Sequence, residues 1–157
     1  MVTSRRAPGD GLVLAVVVLI ALHTACDVAT SSGTYEYLTT QPEADLVYPE
    51  SDLLSDGGYD AEMTIDGPQP AALWKIFGSD ASIDDILAHY QAELADRGWE
   101  SMPSSRSTSE IEAWRWSRGD LGFRLGQKDP DTWHERLPGS DRFATIYEVR
   151  LVERRSS

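Results

Sequence analysis

The chain has 157 residues, with 14 Lys and Arg against 26 Asp and Glu, a formal net charge of −12 at pH 7. Its 41% hydrophobic and 25% charged residues are ordinary for a globular domain. They exclude a long disordered chain, a collagen-like repeat and a polytopic membrane protein. A chain this acidic is a poor nucleic-acid binder, because that affinity comes mainly from Lys and Arg on phosphates. Its single cysteine excludes an intrachain disulfide framework and a Cys-rich zinc site.

The N-terminus reads as a targeting signal. Arg5 and Arg6 precede an apolar run, LVLAVVVLIAL, from Leu12 to Leu22. A membrane-crossing helix needs about 20 apolar residues, so the run is too short to span. It has the length of a signal-peptide core, about 7–15 residues. Small Ala25 and then Cys26 follow. The segment Leu22-His23-Thr24-Ala25-Cys26 resembles a bacterial lipoprotein signal, although His23 fills the slot where that pattern has an aliphatic residue. The resemblance implies cleavage before Cys26 and acylation of its thiol. Ser4-Arg5-Arg6 is also similar to a twin-arginine export signal, but Ala7-Pro8-Gly9-Asp10 replaces the hydrophobic residues expected there. The expected organisation is a signal peptide over 1–25, an acylated Cys26 with a flexible tether over 26–41, and one folded domain over 42–157. No Lys or Arg lies between Cys26 and Lys75, while acids recur from Asp27 to Asp66. These acids are scattered, which suits solvation and repulsion from an anionic surface better than metal binding.

Within the domain, Leu46-Val47-Tyr48 is a candidate edge strand. Tyr59 to Asp66 alternates apolar and polar residues, the pattern of a half-buried strand. Gly67-Pro68-Gln69-Pro70 turns the chain, and Ala71 to Phe77 returns. From Ile83 to Arg97, Ile83, Ile86, Leu87, Tyr90 and Leu94 form one helical stripe. Ser82 is its N-cap, Asp84 and Asp85 suit the positive end of its dipole, and Gly98 is its stop. Trp99 to Met102 is a short strand and Pro103 to Ser109 a polar loop. Ile111 to Ser117 and Asp120 to Leu125 form a hairpin turning at Arg118-Gly119. Phe143 to Leu151 is the last strand, with Phe143, Thr145, Tyr147, Val149 and Leu151 on one face. The order β-β-α-β-β-β, with an optional first edge strand, predicts an α+β fold. One twisted antiparallel sheet carries a single amphipathic helix on one face.

Candidate sites are sparse. Trp114 and Trp116 share a hairpin face with Leu121, Phe123 and Leu125, so they are expected in the core, with Arg115 and Arg124 facing out. A ligand platform is the other reading of the two tryptophans. Arg118-Gly119-Asp120 spells an integrin-type tripeptide at a hairpin tip, a weak signal. His89, with Asp85 and Glu93 four residues to either side, is expected to be a solvated helix residue. Asp129, Asp131, Trp133, His134 and Glu135 crowd the segment 128–141 and are candidates for a polar ligand or metal. Their spacing matches neither an EF-hand nor a zinc helix. There is no Gly-x-Ser-x-Gly elbow, phosphate loop or dinucleotide fingerprint, so no catalytic residue and no cofactor is expected.

Tyr90-x-x-x-Leu94-x-x-x-Gly98-Trp99, with Val47-Tyr48-Pro49 before it and a Trp-bearing hairpin after it, resembles a pattern in small actinobacterial lipoproteins. It spans Leu46 to Leu151, and its residues are structural, so it carries over no catalytic residue. The resulting expectation is an envelope lipoprotein, held on the cell membrane outside the cytoplasm by lipid on Cys26. Its non-enzymatic domain would act through contacts with an envelope protein. The alternatives are a surface module binding a glycan, lipid or metal and, more remotely, a hydrolase with an unrecognised site.

Overall fold

The computed structural model describes residues 34–107 and 110–153. The expected signal peptide and Cys26 lie outside them. Among the described residues, no helix is long and apolar enough to cross a membrane.

The fold is α+β, and its main sheet has six antiparallel strands. In chain order the elements are α1 (Tyr35–Thr39), a 3-10 turn (Pro42–Asp45), β1 (Ser51–Tyr59), β2 (Glu62–Thr64), β3 (Gly67–Gln69) and β4 (Ala72–Ser79). Then come α2 (Ile83–Asp96), β5 (Glu100–Ser107), β6 (Glu110–Arg118), β7 (Leu121–Lys128), α3 (Pro130–His134), a second 3-10 turn (Ser140–Arg142) and β8 (Thr145–Glu153). The main sheet runs β1-β4-β8-β7-β6-β5, and β2 and β3 form a separate pair. After β4, α2 carries the chain to the far edge, and the strands β5 to β8 return in sequence until β8 closes against β4.

The main helix forms as its sequence dictates. Ser82 Oγ accepts from the Asp85 amide at 3.2 Å and donates to Asp85 Oδ2 at 2.6 Å, a short version of the capping box. At the other end Gly98 takes φ +77°. Its amide donates to Ala95 O at 3.0 Å, and Trp99 N donates to Leu94 O at 3.0 Å. That pair of bonds is a Schellman stop. The buried stripe Ile86, Tyr90 and Leu94 packs on Leu73, Phe77, Phe123, Leu125, Tyr147 and Val149 of the sheet.

Four local expectations are corrected. The tether expected over 26–41 is folded from Thr34 onward. Thr34 caps α1, Leu38 is fully buried, and the first turn of the domain is thereby docked on the sheet. Leu46-Val47-Tyr48 is not a strand; Leu46 is buried, and its carbonyl accepts from Tyr90 Oη at 3.3 Å. The edge strand is β1, whose sequence SDLLSDGGY lacks alternation. Its glycines fit because aromatic rings lie on them: Trp74 covers Gly57, and a Cβ there would sit 2.6 Å from Trp74 Cζ2. The alternating Tyr59–Asp66 stretch is not half-buried. Tyr59 ends β1 opposite Ala72, and only Glu62–Thr64 pair with β3, outside the main sheet, where Met63 and Ile65 are exposed. Pro103 does not start a loop, because β5 is an edge strand with register shifts between Met102 and Ser107. Such shifts and edges accommodate proline.

The hairpin of β6 and β7 turns at Gly119-Asp120, so Trp116 faces Phe123 and Trp114 faces Leu125. This register differs by two residues from the expected one and leaves every side chain on the expected face. Trp116 is buried and Trp114 packs at the rim of the core.

A buried ion pair fastens the N-terminal segment to this core. Glu43 is 2% exposed. Its two carboxylate oxygens each accept from Arg118 at 3.0 Å, and Oε1 also accepts from Trp99 Nε1 at 3.1 Å. The Arg118 guanidinium lies 5.0 Å from the Trp99 ring centre. Arg118 is thus committed to Glu43, not presented as part of a tripeptide at the tip.

Two predictions follow from this packing. Glu43→Ala leaves Arg118 and Trp99 without their acceptor and lowers unfolding free energy by about 3 kcal/mol in urea denaturation, the usual scale for breaking a buried pair. Burial also pushes the phenols of Tyr90 and Tyr147 above their ordinary value of 10.0. The folded chain then holds protons that the unfolded chain releases. Their stabilisation is complete below about pH 10 and is lost as pH rises through the folded values. Buried Lys128, pushed below 10.5, acts in the opposite sense until about its unfolded value. Unfolding free energy falls above about pH 10, and Tyr90→Phe makes that fall shallower in denaturation series run between about pH 9 and 11.

Candidate functional site

Every second residue of the central strands points away from α2. This outer face is covered in part, with Ile76, Ala113, Ile146 and Glu148 buried, and on it the register places Arg115 of β6 opposite Arg124 of β7, and Arg124 opposite Arg150 of β8. Three guanidinium side chains therefore start from adjacent positions on three neighbouring strands. Strands lie about 4.8 Å apart, so the row crosses about 10 Å of sheet. Met102 of β5 extends the row beyond Arg115, and Trp74 of β4 ends it beyond Arg150. Like charges placed directly opposite one another oppose folding. Burial lowers the Arg124 pKa from its ordinary value, the Glu148 charge works against that fall, and Arg150 adds to it.

Beside this row is a groove of about 260 Å³. Its side chains are Arg115, Arg124 and Arg150 together with Met102 and Val152, and Gly122 supplies bare backbone between them. Trp116 and Phe123 also line it, but their side chains belong to the core face. Register puts Gly122 opposite Val152, so a side chain at Gly122 would stand in the groove. Glycine inside a strand often marks such a close approach. Among the described residues, the lining includes no carboxylate, His, Ser or Cys.

One carboxylate steadies the cations from the next row. Glu148, 5% exposed, lies 2.9 Å from Lys128 Nζ and 2.9 Å from Arg150 Nη2. Lys128 is itself 4% exposed, and burial lowers its pKa against the opposing pull of Glu148. Glu148 Oε1 is in ion-pair contact with Arg150 without hydrogen-bond alignment, and the buried Arg150 Nε has no hydrogen-bond acceptor among the described residues.

The five residues expected around α3 are placed differently. Asp129 caps the helix, accepting from the Asp131 amide at 3.3 Å and from Thr132 Oγ1 at 2.8 Å. Asp131 is exposed in the first turn, and Glu135 is the C-cap. Trp133 lies between two cations, with Lys128 Nζ 5.3 Å and Arg136 Cζ 5.6 Å from its ring. The Nε2 of His134 is buried and has no hydrogen-bond partner among the described residues. Among the described residues, no three His, Cys, Asp or Glu side chains are grouped to hold a metal. His89 is not a solvated helix residue either. Its ring meets Tyr48 and Tyr90 edge-on at 5.5 Å, while Glu93 pairs with Arg97 instead.

Sequence reasoning placed Arg115 and Arg124 outward but did not unite them with Arg150. The alternation of the last strand already put Arg150 opposite its core residues. What was missing was the insertion of β8 beside β7, a long-range pairing that no local pattern encodes.

Glu148→Gln removes the carboxylate that compensates a buried ammonium. It is expected to cost about 3 kcal/mol of unfolding free energy near neutral pH. Urea denaturation should also show part of that loss recovered as pH rises, because burial makes Lys128 shed its proton below the ordinary lysine value.

No protein-family model matches the chain, and neither the curated proteins nor the solved structures include a match.

Proposed function

We propose that the chain is a non-enzymatic binding module, held outside the cytoplasm on a membrane by lipid on Cys26, and that it receives an anionic ligand in the groove on the sheet face opposite α2. The observation that carries the reading is the in-register row Arg115, Arg124 and Arg150 beside a groove. Guanidinium groups bind carboxylate and phosphate through planar, paired donors, and they stay charged when partly buried. A row of like charges costs folding free energy, and departures of this kind are expected where a site is built. Among the described residues, the groove lining supplies cations and apolar groups and no nucleophile or general base, which favours capture over chemistry.

The rest of the chain is acidic. With a formal net charge of −12, the molecule as a whole repels anions, so binding must be local to the groove. Acyl anchoring rests on the signal-like N-terminus, and two or more chains make such attachment stable where one is marginal.

Two measurements test the two halves. In a bacterium with lipoprotein processing, wild type is expected in the membrane fraction with acyl mass on Cys26, and Cys26→Ala is expected to lack that mass. Release of unlipidated wild type would contradict the anchoring. Calorimetric titration with inorganic pyrophosphate at low salt is expected to show binding that weakens about tenfold or more in Arg124→Gln, the scale of one lost charge-assisted contact. Equal binding by the two proteins would contradict the site.

A further inference from the structure

Resting on the proposed anionic ligand, we infer that the groove takes an amphiphilic oxyanion, with a phosphate or carboxylate head on Arg115, Arg124 and Arg150 and a short apolar body over Gly122, against Met102 and Val152. Three features of the groove point to this class. The first is its two-part lining. The arginines form one row across β6, β7 and β8, and Gly122 and Val152 form the next row, one pleat further along the same face. A bare inorganic anion would use the first row and leave the second empty.

The second feature is size. At about 260 Å³ the groove lies just below the usual range of small-molecule sites, about 300–1,000 Å³. It suits one headgroup with a few carbons and is too small for a folded partner or a polymer. A polyanion would also face the repulsion of an acidic surface along its whole length.

The third feature is the state of the cations. Glu148 holds Arg150 by one nitrogen at 2.9 Å, and the Arg150 side chain lines the groove with 34% of its surface still exposed. A guanidinium carries five N–H donors, so a planar group held at one nitrogen has further donors for a ligand oxygen. Gly122 matters as an omission: any side chain there would occupy the space of the apolar body.

The same head and body could belong to a membrane lipid or to a free metabolite, so the test has two arms. The full chain is held in phosphatidylcholine nanodiscs and titrated calorimetrically with hexyl phosphate and with inorganic phosphate. Hexyl phosphate is expected to bind about tenfold tighter, the gain from burying about two methylenes. Val152→Thr should reduce that preference about threefold while leaving inorganic phosphate unchanged, because one methyl contact is exchanged for a hydroxyl. Arg124→Gln should weaken both ligands. Equal affinity for the two phosphates would overturn the amphiphile inference and leave the anion site standing. Absence of binding by either would overturn both readings. In the second arm the nanodiscs are mixed with phosphatidylglycerol vesicles and sedimented. Uptake that hexyl phosphate competes away identifies a membrane lipid as the source. Hexyl phosphate binding without uptake identifies a soluble amphiphile, and either outcome sustains the inference.

Discussion

Side chains alternate across a strand, so a sheet that gives one face to its core must give every second residue to the other. In this molecule α2, α1 and the segment around Glu43 cover one face with a continuous apolar core. The central strands β7 and β8 still carry four cationic or anionic side chains opposite that core, Arg124, Lys128, Glu148 and Arg150. A scaffold selected for stability alone would place apolar or mixed polar pairs there. It would not align three arginines and then bury a Lys–Glu pair beside them, since such pairs rarely repay their desolvation. The outer face is where the fold departs from the rules that the helix face obeys.

The two faces are energetically linked through their shared strands. Leu121, Phe123 and Leu125 are buried under α2, which fixes the backbone from which Gly122 and Arg124 project. The ion pair of Glu43 with Arg118 locks the start of the domain to the end of β6, the strand that also carries Arg115. The groove is therefore built on paired strands with a packed layer behind them. That is the kind of support a site needs if its donors are to be held in place before a ligand arrives. Glu148, which pairs with Arg150, is the acid described beside the arginine row, and many of the others lie elsewhere. They recur along the first third of the chain and on exposed positions such as Asp45, Asp52 and Asp141.

What could be read from the sequence depended on distance along the chain. The α2 helix was clear because its stripe, its Ser82 cap and its Gly98 stop are all local. The inward Trp116 and outward Arg115 and Arg124 were also clear, because a hairpin sets its faces by alternation even when the turn is misplaced by one residue. The β1 strand was hidden, because Gly57 and Gly58 owe their fit to the rings of Trp74 and Tyr35, far along the chain or on another element. The alternation of Tyr59 to Asp66 misled because period two reports a strand but not whether anything covers it. Asp129, Asp131 and His134 attracted attention by composition, yet the carboxylates serve a short helix. Glu43, Glu148 and Arg150 gain their meaning only from pairings across the sheet, which local patterning does not record.

The most direct measurement of the central claim is arginine-resolved nitrogen–proton NMR of the full chain during a pyrophosphate titration. The account predicts that the Nε–Hε signals of Arg115, Arg124 and Arg150 shift together and saturate, while that of Arg118, committed to Glu43 on the other face, stays in place. If the three signals do not move, or all arginines shift alike as ionic strength rises, the outer face is not an anion site.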